Sequence, residues 1–177
     1  MMRKSQVRVG TLLDIGAGIG VLHHELLGDG VGAAVHVEAA RAYIDAAEQE
    51  AKRRGQAEWV QFLHGDFVSL ASSIEAADLV TLDRVLCCYP DLEPLLLASA
   101  ERARRYWAAS FPREWWYVRL FTRWQNWRRA RAGNEFRTFV HPVPRIYELL
   151  KRAGLRPLRV CRRPVWEAVL CIREGAS

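Results

Sequence analysis

Leu12-Leu13-Asp14-Ile15-Gly16-Ala17-Gly18-Ile19-Gly20 carries an apolar run into an acid and then three glycines on alternate positions, and a helical pattern follows. This reads as a buried strand, a tight turn and a helix start. Glycines in such a turn let the backbone approach a ligand that a side chain would hold off. The spacing is G-x-G-x-G, with Asp14 two residues ahead of the first glycine. A dinucleotide needs a helix N-terminus for its pyrophosphate. An acid beside the turn suits a ligand with cationic groups and no phosphate.

Working outward, Ala33-Ala34-Val35-His36-Val37-Glu38 is a second apolar strand whose terminal acid lies 22 residues after Gly16. An acid at that tip is placed to hold both ribose hydroxyls of a nucleoside. His64-Gly65-Asp66-Phe67 follows a third strand, Trp59-Val60-Gln61-Phe62-Leu63. A fourth strand and its loop run through Ala77-Asp78-Leu79-Val80-Thr81-Leu82-Asp83-Arg84-Val85-Leu86-Cys87-Cys88-Tyr89-Pro90-Asp91.

These four stretches, in this order and spacing, resemble the motifs of the class I S-adenosylmethionine-dependent methyltransferases. The resemblance covers residues 11–111 well and the C-terminal third more loosely. It implies S-adenosylmethionine as cofactor, bound by Asp14, Gly16, Ala17, Gly18, Gly20, Glu38, Asp66, Phe67 and Asp83. In the family the acid matching Asp66 faces the adenine amino group. Two of these acids have a second reading: Asp14 as a buried acid capping the turn, and Asp66 as the N-cap of the helix that follows.

At 177 residues, half of them hydrophobic, the chain is long enough to bury the core of one domain and is not a disordered chain. No apolar run reaches membrane-spanning length, and Met1-Met2-Arg3-Lys4-Ser5-Gln6 has no apolar segment behind its charges. The four cysteines, Cys87, Cys88, Cys161 and Cys171, show no C-x-x-C spacing, which points to reduced thiols and a cytoplasmic protein. The net charge of +6 is divided unequally: residues 1–100 hold 8 Lys/Arg against 14 Asp/Glu, and residues 101–177 hold 18 against 6. The basic half suits an anionic substrate or partner, or is a solvated arginine-rich surface; nucleic acid is the lesser reading.

Short strands alternate with helices over about 19–28, 40–54, 67–75 and 91–104, and a fifth strand runs Tyr106 to Phe111, before Pro112. The pattern predicts an α/β fold: a Rossmann-like parallel sheet with helices on both faces. Residues 114–131 and 143–153 read as further helices, and Leu158–Cys161 with Val165–Ile172 as a final pair, the last strand antiparallel as the resemblance implies. The division is 11–111 as cofactor core, 112–157 as substrate-side helical region and 158–173 as strand pair. About ten residues precede the first strand, where family members carry a covering helix; the expectation is weak cofactor binding by this chain alone.

Methyl transfer is an in-line attack on an activated methyl group, so positioning carries most of the catalysis, with a base needed only for an acceptor that must lose a proton. His141 is the candidate base, between an apolar run and a proline; Phe136-Arg137-Thr138-Phe139-Val140-His141 loosely resembles the element before the last helix of magnesium-protoporphyrin O-methyltransferases. The alternative is a structural histidine holding the loop. Tyr89 faces substrate or packs behind its loop. Cys87 and Cys88 read as small apolar filler, at least one of them buried, with no adjacent base for a thiol nucleophile. His23, His24 and His36 have no metal-ligand partner at useful spacing. Arg113, after the fifth strand, reads first as a surface residue and otherwise as a contact for an acidic substrate. Trp116, Leu120, Trp124 and Trp127 share one helix face, read first as core packing or a lid, then as a homodimer interface, then as a membrane-surface helix.

The reading is a methyltransferase acting on a small-molecule oxygen or nitrogen acceptor. Its rivals are a nucleic-acid-associated module using the basic half, and a non-catalytic scaffold.

Overall fold

The computed structural model describes residues 9–175, so the Met1–Gln6 run lies outside the described residues. Seven strands form one sheet: β1 (Thr11–Ile15), β2 (Ala33–Glu38), β3 (Val60–His64), β4 (Ala77–Asp83), β5 (Ala103–Pro112), β6 (Leu155–Arg162) and β7 (Trp166–Arg173). Their order is β3-β2-β1-β4-β5-β7-β6. The first five are parallel, and β7 enters antiparallel between β5 and β6. The fold is that of class I methyltransferases, as expected.

Alternation along β1 sorts the helices. Leu13 and Ile15 join the main core, which draws on α3 (Phe67–Leu70), α4 (Leu92–Glu101) and α6 (Val143–Arg152). Leu12 points the other way and packs with Leu26 and Leu27 of α1 (Val21–Gly28). Beside α1 runs α2 (Arg41–Arg53), joined to it just beyond its end by Arg54 Nη1 to Glu25 Oε1 at 2.8 Å. Trp107 of β5 is fully buried, and its indole N–H donates to Ser99 Oγ of α4 at 3.0 Å, so the largest core side chain leaves no orphan donor. The edge strand β6 is guarded by exposed arginines at 156, 159 and 162, which discourage strand addition.

Several boundaries differ from the sequence reading, two of them at one junction. The fourth long helix ends at Glu101, not 104, and β5 starts at Ala103, not 106. Pairing with β4 draws Ala103 into the sheet opposite Ala77, with a register shift before Tyr106 meets Leu79; tertiary pairing overrides the local run of charges.

The tryptophan face is a larger correction. In α5 (Trp116–Arg131) only Val118 is buried. Trp116 is 73% exposed, Leu120 61%, Trp124 47% and Trp127 54%, so the stripe does not pack into the core. The helix meets the rest of the chain through its other side, where Asn126 Nδ2 donates to Thr138 O at 2.7 Å and Thr138 N–H donates back to Asn126 Oδ1 at 3.0 Å.

Candidate functional site

Because β1 to β4 are parallel, their C-terminal ends open at one edge of the sheet, and chain order reverses between β1 and β4. Such a switch point is where α/β sheets bind ligands. The three glycines of the first turn divide their work here. Gly16 has φ 60°, and a Cβ on it would lie 2.6 Å from Val85 Cγ2, so it lets the β4 loop close in. Gly18 has φ 57° and opens onto free space, with nothing within 4 Å of a Cβ. Gly20 is the N-cap of α1. Gly16 N–H and Ala17 N–H both donate to Val37 O, at 2.8 and 3.3 Å.

Glu38 closes the same corner. Its Oε2 accepts from Gly18 N–H at 3.0 Å and its Oε1 from Ala40 N–H at 2.8 Å. The carboxylate therefore holds the glycine turn and the entrance to α2 together.

Asp66 lies at the end of β3 and caps α3: Oδ2 accepts from Ser69 N–H and Ser69 Oγ, both at 3.0 Å. Its Oδ1 accepts from Tyr89 Oη at 2.7 Å. Burial pushes this carboxyl up, but the bonds from Tyr89 and Ser69 outweigh burial and leave it below its usual range. Tyr89 is raised to about 12 by burial and by Asp66. Tyr89 is thus a half-buried donor to Asp66.

His141 crosses to the β4 loop. Its Nε2 lies 3.0 Å from Leu86 O and 3.0 Å from Tyr89 O. Carbonyls only accept, so Nε2 carries a proton, and in the neutral ring the lone pair is on Nδ1. Phe139 N–H donates to Cys87 O at 2.7 Å, fastening the same strap. Cys87 is buried and Cys88 exposed, with Sγ atoms 3.8 Å apart. The Cys87 thiol and the Arg129 guanidinium lower Cys88 to about 7 against the pull of burial, while the same pairing pushes Cys87 up. Sequence reasoning missed this thiol because Arg129 lies 41 residues away on α5.

Three further expected cofactor residues make contacts within the protein. Asp14 is 2% exposed and buried beneath the turn, where Oδ1 accepts from Thr81 Oγ1 at 2.7 Å and Oδ2 from His23 Nδ1 at 3.1 Å. Its capping reading describes this geometry. Phe67 is buried in the main core. Asp83 accepts from Ser110 Oγ and lines a groove of about 390 Å³ on the α1 side of β4, β5 and β7.

His23, His24 and His36 form a buried cluster under the turn. Ring centroids of His23 lie 4.3 Å from His24 and 5.1 Å from His36. His24 donates from Nδ1 to Gln56 Oε1 at 2.8 Å, and neither nitrogen of His36 has a hydrogen-bond partner among the described residues. Burial, then His23 and His24, lower His36 to about 4. Arg84, also unmarked in the sequence, holds φ 60° with its guanidinium 5.1 Å over the Trp166 ring. A non-glycine residue in that region is strained and is retained where its surroundings over-determine it.

Residues 13–104, more than half of the chain, match the methyltransferase domain. The chain belongs to the methyltransferase domain family. Among solved structures, this methyltransferase is similar to magnesium protoporphyrin IX methyltransferase from Synechocystis with bound S-adenosylmethionine. The identity is 19% and the TM-score 0.70, covering 92% of this chain and 69% of that one. The same enzyme with bound S-adenosylhomocysteine gives a TM-score of 0.73. An O-methyltransferase family protein from Burkholderia thailandensis is 16% identical with a TM-score of 0.78, covering 96% of this chain and 52% of that one. Mitomycin 7-O-methyltransferase is 20% identical with a TM-score of 0.70, covering 93% and 49%. The chain spans about half the length of these last two. At such identities the likeness establishes the fold. No curated protein matches the sequence. No helix among the described residues is long and apolar enough to cross a membrane.

Proposed function

We propose that this methyltransferase domain binds S-adenosylmethionine at the β1–β4 edge and methylates an oxygen or nitrogen of a small, anionic acceptor. The observation that carries the reading is the open side of Gly18 held against the Glu38 carboxylate. Backbone and carboxylate groups line that corner, which fits a nucleoside with a cationic, phosphate-free tail. When bound, the cofactor supplies a methyl group on a sulfonium that leaves as a neutral thioether.

The chain's own residues do the rest. Glu38 receives the ribose hydroxyls while keeping its grip on Gly18 N–H. Asp66, held by Tyr89 and Ser69, faces the adenine side with its remaining lone pairs. Where the acceptor is a hydroxyl, His141 Nδ1 takes its proton, and the carbonyls of Leu86 and Tyr89 steady the Nε2–H of the imidazolium that forms. Residues 11–111 serve as the cofactor core, 112–157 as the substrate side, and 158–173 complete the sheet. The protein works in the cytoplasm. Neither the nucleic-acid module nor the inert scaffold is favoured by the family.

Calorimetry with S-adenosylhomocysteine tests this. Glu38→Ala should weaken binding by about 1–3 kcal/mol, as hydroxyls lose a charged partner and the turn loses its anchor. Gly18→Val should abolish it, because a β-branched residue is strained at that φ and fills the open side. Unchanged affinity in the Glu38 variant, or NADH bound instead, would overturn the reading.

A further inference from the structure

We propose that α5 is a membrane-surface helix, whose outward face docks the protein onto a bilayer carrying anionic headgroups. This goes beyond methyl transfer and rests on different residues from those of the cofactor cleft.

At ~100° per residue, Trp116, Trp127, Leu120, Trp124 and Phe121 fall within an arc of ~140°. All five are about half exposed or more. Val118, the helix's buried residue, lies outside the arc, about 130° from its middle, so the arc faces outward. The helix is fixed in that attitude: Tyr117 Oη donates to Pro164 O at 2.6 Å near its start, and Asn126 pairs with residue 138 further along.

Charge selects the partner. Between Trp116 and Arg131 there are five arginines and no acid; Arg119 pairs with Glu114 just ahead of the helix and Arg129 turns inward to Thr138, which leaves Arg123, Arg128 and Arg131 to the outer surface. A second copy laid on this face would set like charges together, and a neutral apolar protein would strand them. Anionic headgroups match them, each basic side chain near such a surface adding to the attraction. The rings and guanidinium groups are already paired, with Arg128 4.9 Å over Trp124 and Arg131 4.9 Å over Trp127. Tryptophan and arginine side by side suit the headgroup level, where an apolar body and a polar tip are both satisfied. Single-stranded nucleic acid would use the rings and arginines by stacking and pairing. It would leave Leu120, 61% exposed between the tryptophans, without a role. Leu120 and Phe121 instead reach the acyl boundary.

The test is sedimentation with vesicles of phosphatidylcholine alone and of phosphatidylcholine mixed with phosphatidylglycerol, using the whole chain. Binding is expected to the mixed vesicles, to weaken with salt, and to bring tryptophan quenching by brominated acyl chains. Leu120→Glu keeps every tryptophan and alters an exposed site, so circular dichroism should be unchanged while partitioning falls about tenfold or more. The proposal is overturned if mixed vesicles do not bind or if Leu120→Glu partitions as the parent does. It is equally overturned if the parent ignores vesicles and instead dimerises through Leu120 or binds single-stranded RNA.

Discussion

Tyr89 Oη donates a 2.7 Å hydrogen bond to Asp66 Oδ1, joining the loop after β4 to the helix cap after β3. Both residues were candidates for ligand contact, and this bond ties one to the other while Asp66 keeps further lone pairs. Tyr89→Phe should cost about 1 kcal/mol of stability in urea unfolding, the usual worth of such a bond or slightly more for a charged acceptor. The sign with pH follows from the lowered Asp66. Its ionised form is favoured by folding, so its stabilisation is present above the ordinary carboxylate range and is lost as pH falls through the folded value. In Tyr89→Phe that acid loss should shrink. Equal acid slopes in variant and parent would show that Ser69 alone holds the carboxylate down.

His141 has two separable duties, because its two nitrogens face different tasks. His141→Gln retains an amide donor for the carbonyls of Leu86 and Tyr89 but has no basic nitrogen. For a hydroxyl acceptor, turnover should fall roughly 10²–10⁴-fold in both His141→Ala and His141→Gln, with S-adenosylhomocysteine affinity little changed in the glutamine variant. If glutamine restored turnover and alanine did not, His141 would be a positioning residue that staples the β4 loop.

The histidine cluster makes the fold acid-sensitive. His36 is neutral when folded, with its value at about 4, and titrates near 6.5 when unfolded. Between those values the unfolded chain binds a proton that the folded chain refuses, so stability falls as pH drops through the window. The loss is at most about 1.4 kcal/mol per pH unit from this residue, with His24, also lowered, adding to it. Urea midpoints at pH 7 and pH 5 should differ accordingly, and His36→Leu should flatten the difference. A slope unchanged in that variant would assign the acid sensitivity elsewhere.

Cys88 should be the reactive thiol of the site. The Cys87 thiol and then Arg129 hold it below the usual thiol range, so its thiolate forms at lower pH than that of an ordinary cysteine. Iodoacetamide labelling, resolved by peptide mapping, should reach half its limiting rate near pH 7 at Cys88 and leave buried Cys87 unmodified. Arg129→Gln should move that midpoint upward. A midpoint above 8 in the parent would remove Cys88 from consideration as a thiolate.

Most of the scaffold was legible because its signals are local. The strand, glycine turn and helix of residues 11–28 are contiguous, and β2 was delimited to the residue by its apolar run and Glu38. Asp66 was legible in part: its N-cap role follows from the helix it starts, but its partner Tyr89 does not. The Trp116–Trp127 stripe misled because helical spacing shows that a face exists, not what covers it. The boundary between α4 and β5 moved because β4 pulled Ala103 into the sheet against a local run of charges.

The sequence by itself determined the order of strands and helices, the glycine turn and the acid at the tip of each of the first two strands, since each depends on neighbours within a few residues. Only the tertiary structure decided that Gly18, of the three turn glycines, faces open space, that Asp14 is buried on Thr81 and His23, and that His141 turns Nε2 to two carbonyls. It also decided that Arg129 comes close enough to Cys88 to favour the thiolate, and that the aromatic face of α5 is left to solvent. Most of these rest on groups that are tens of residues apart in the chain. Hydrogen-bond geometry, burial and charge proximity act through space, and no sequence interval encodes them.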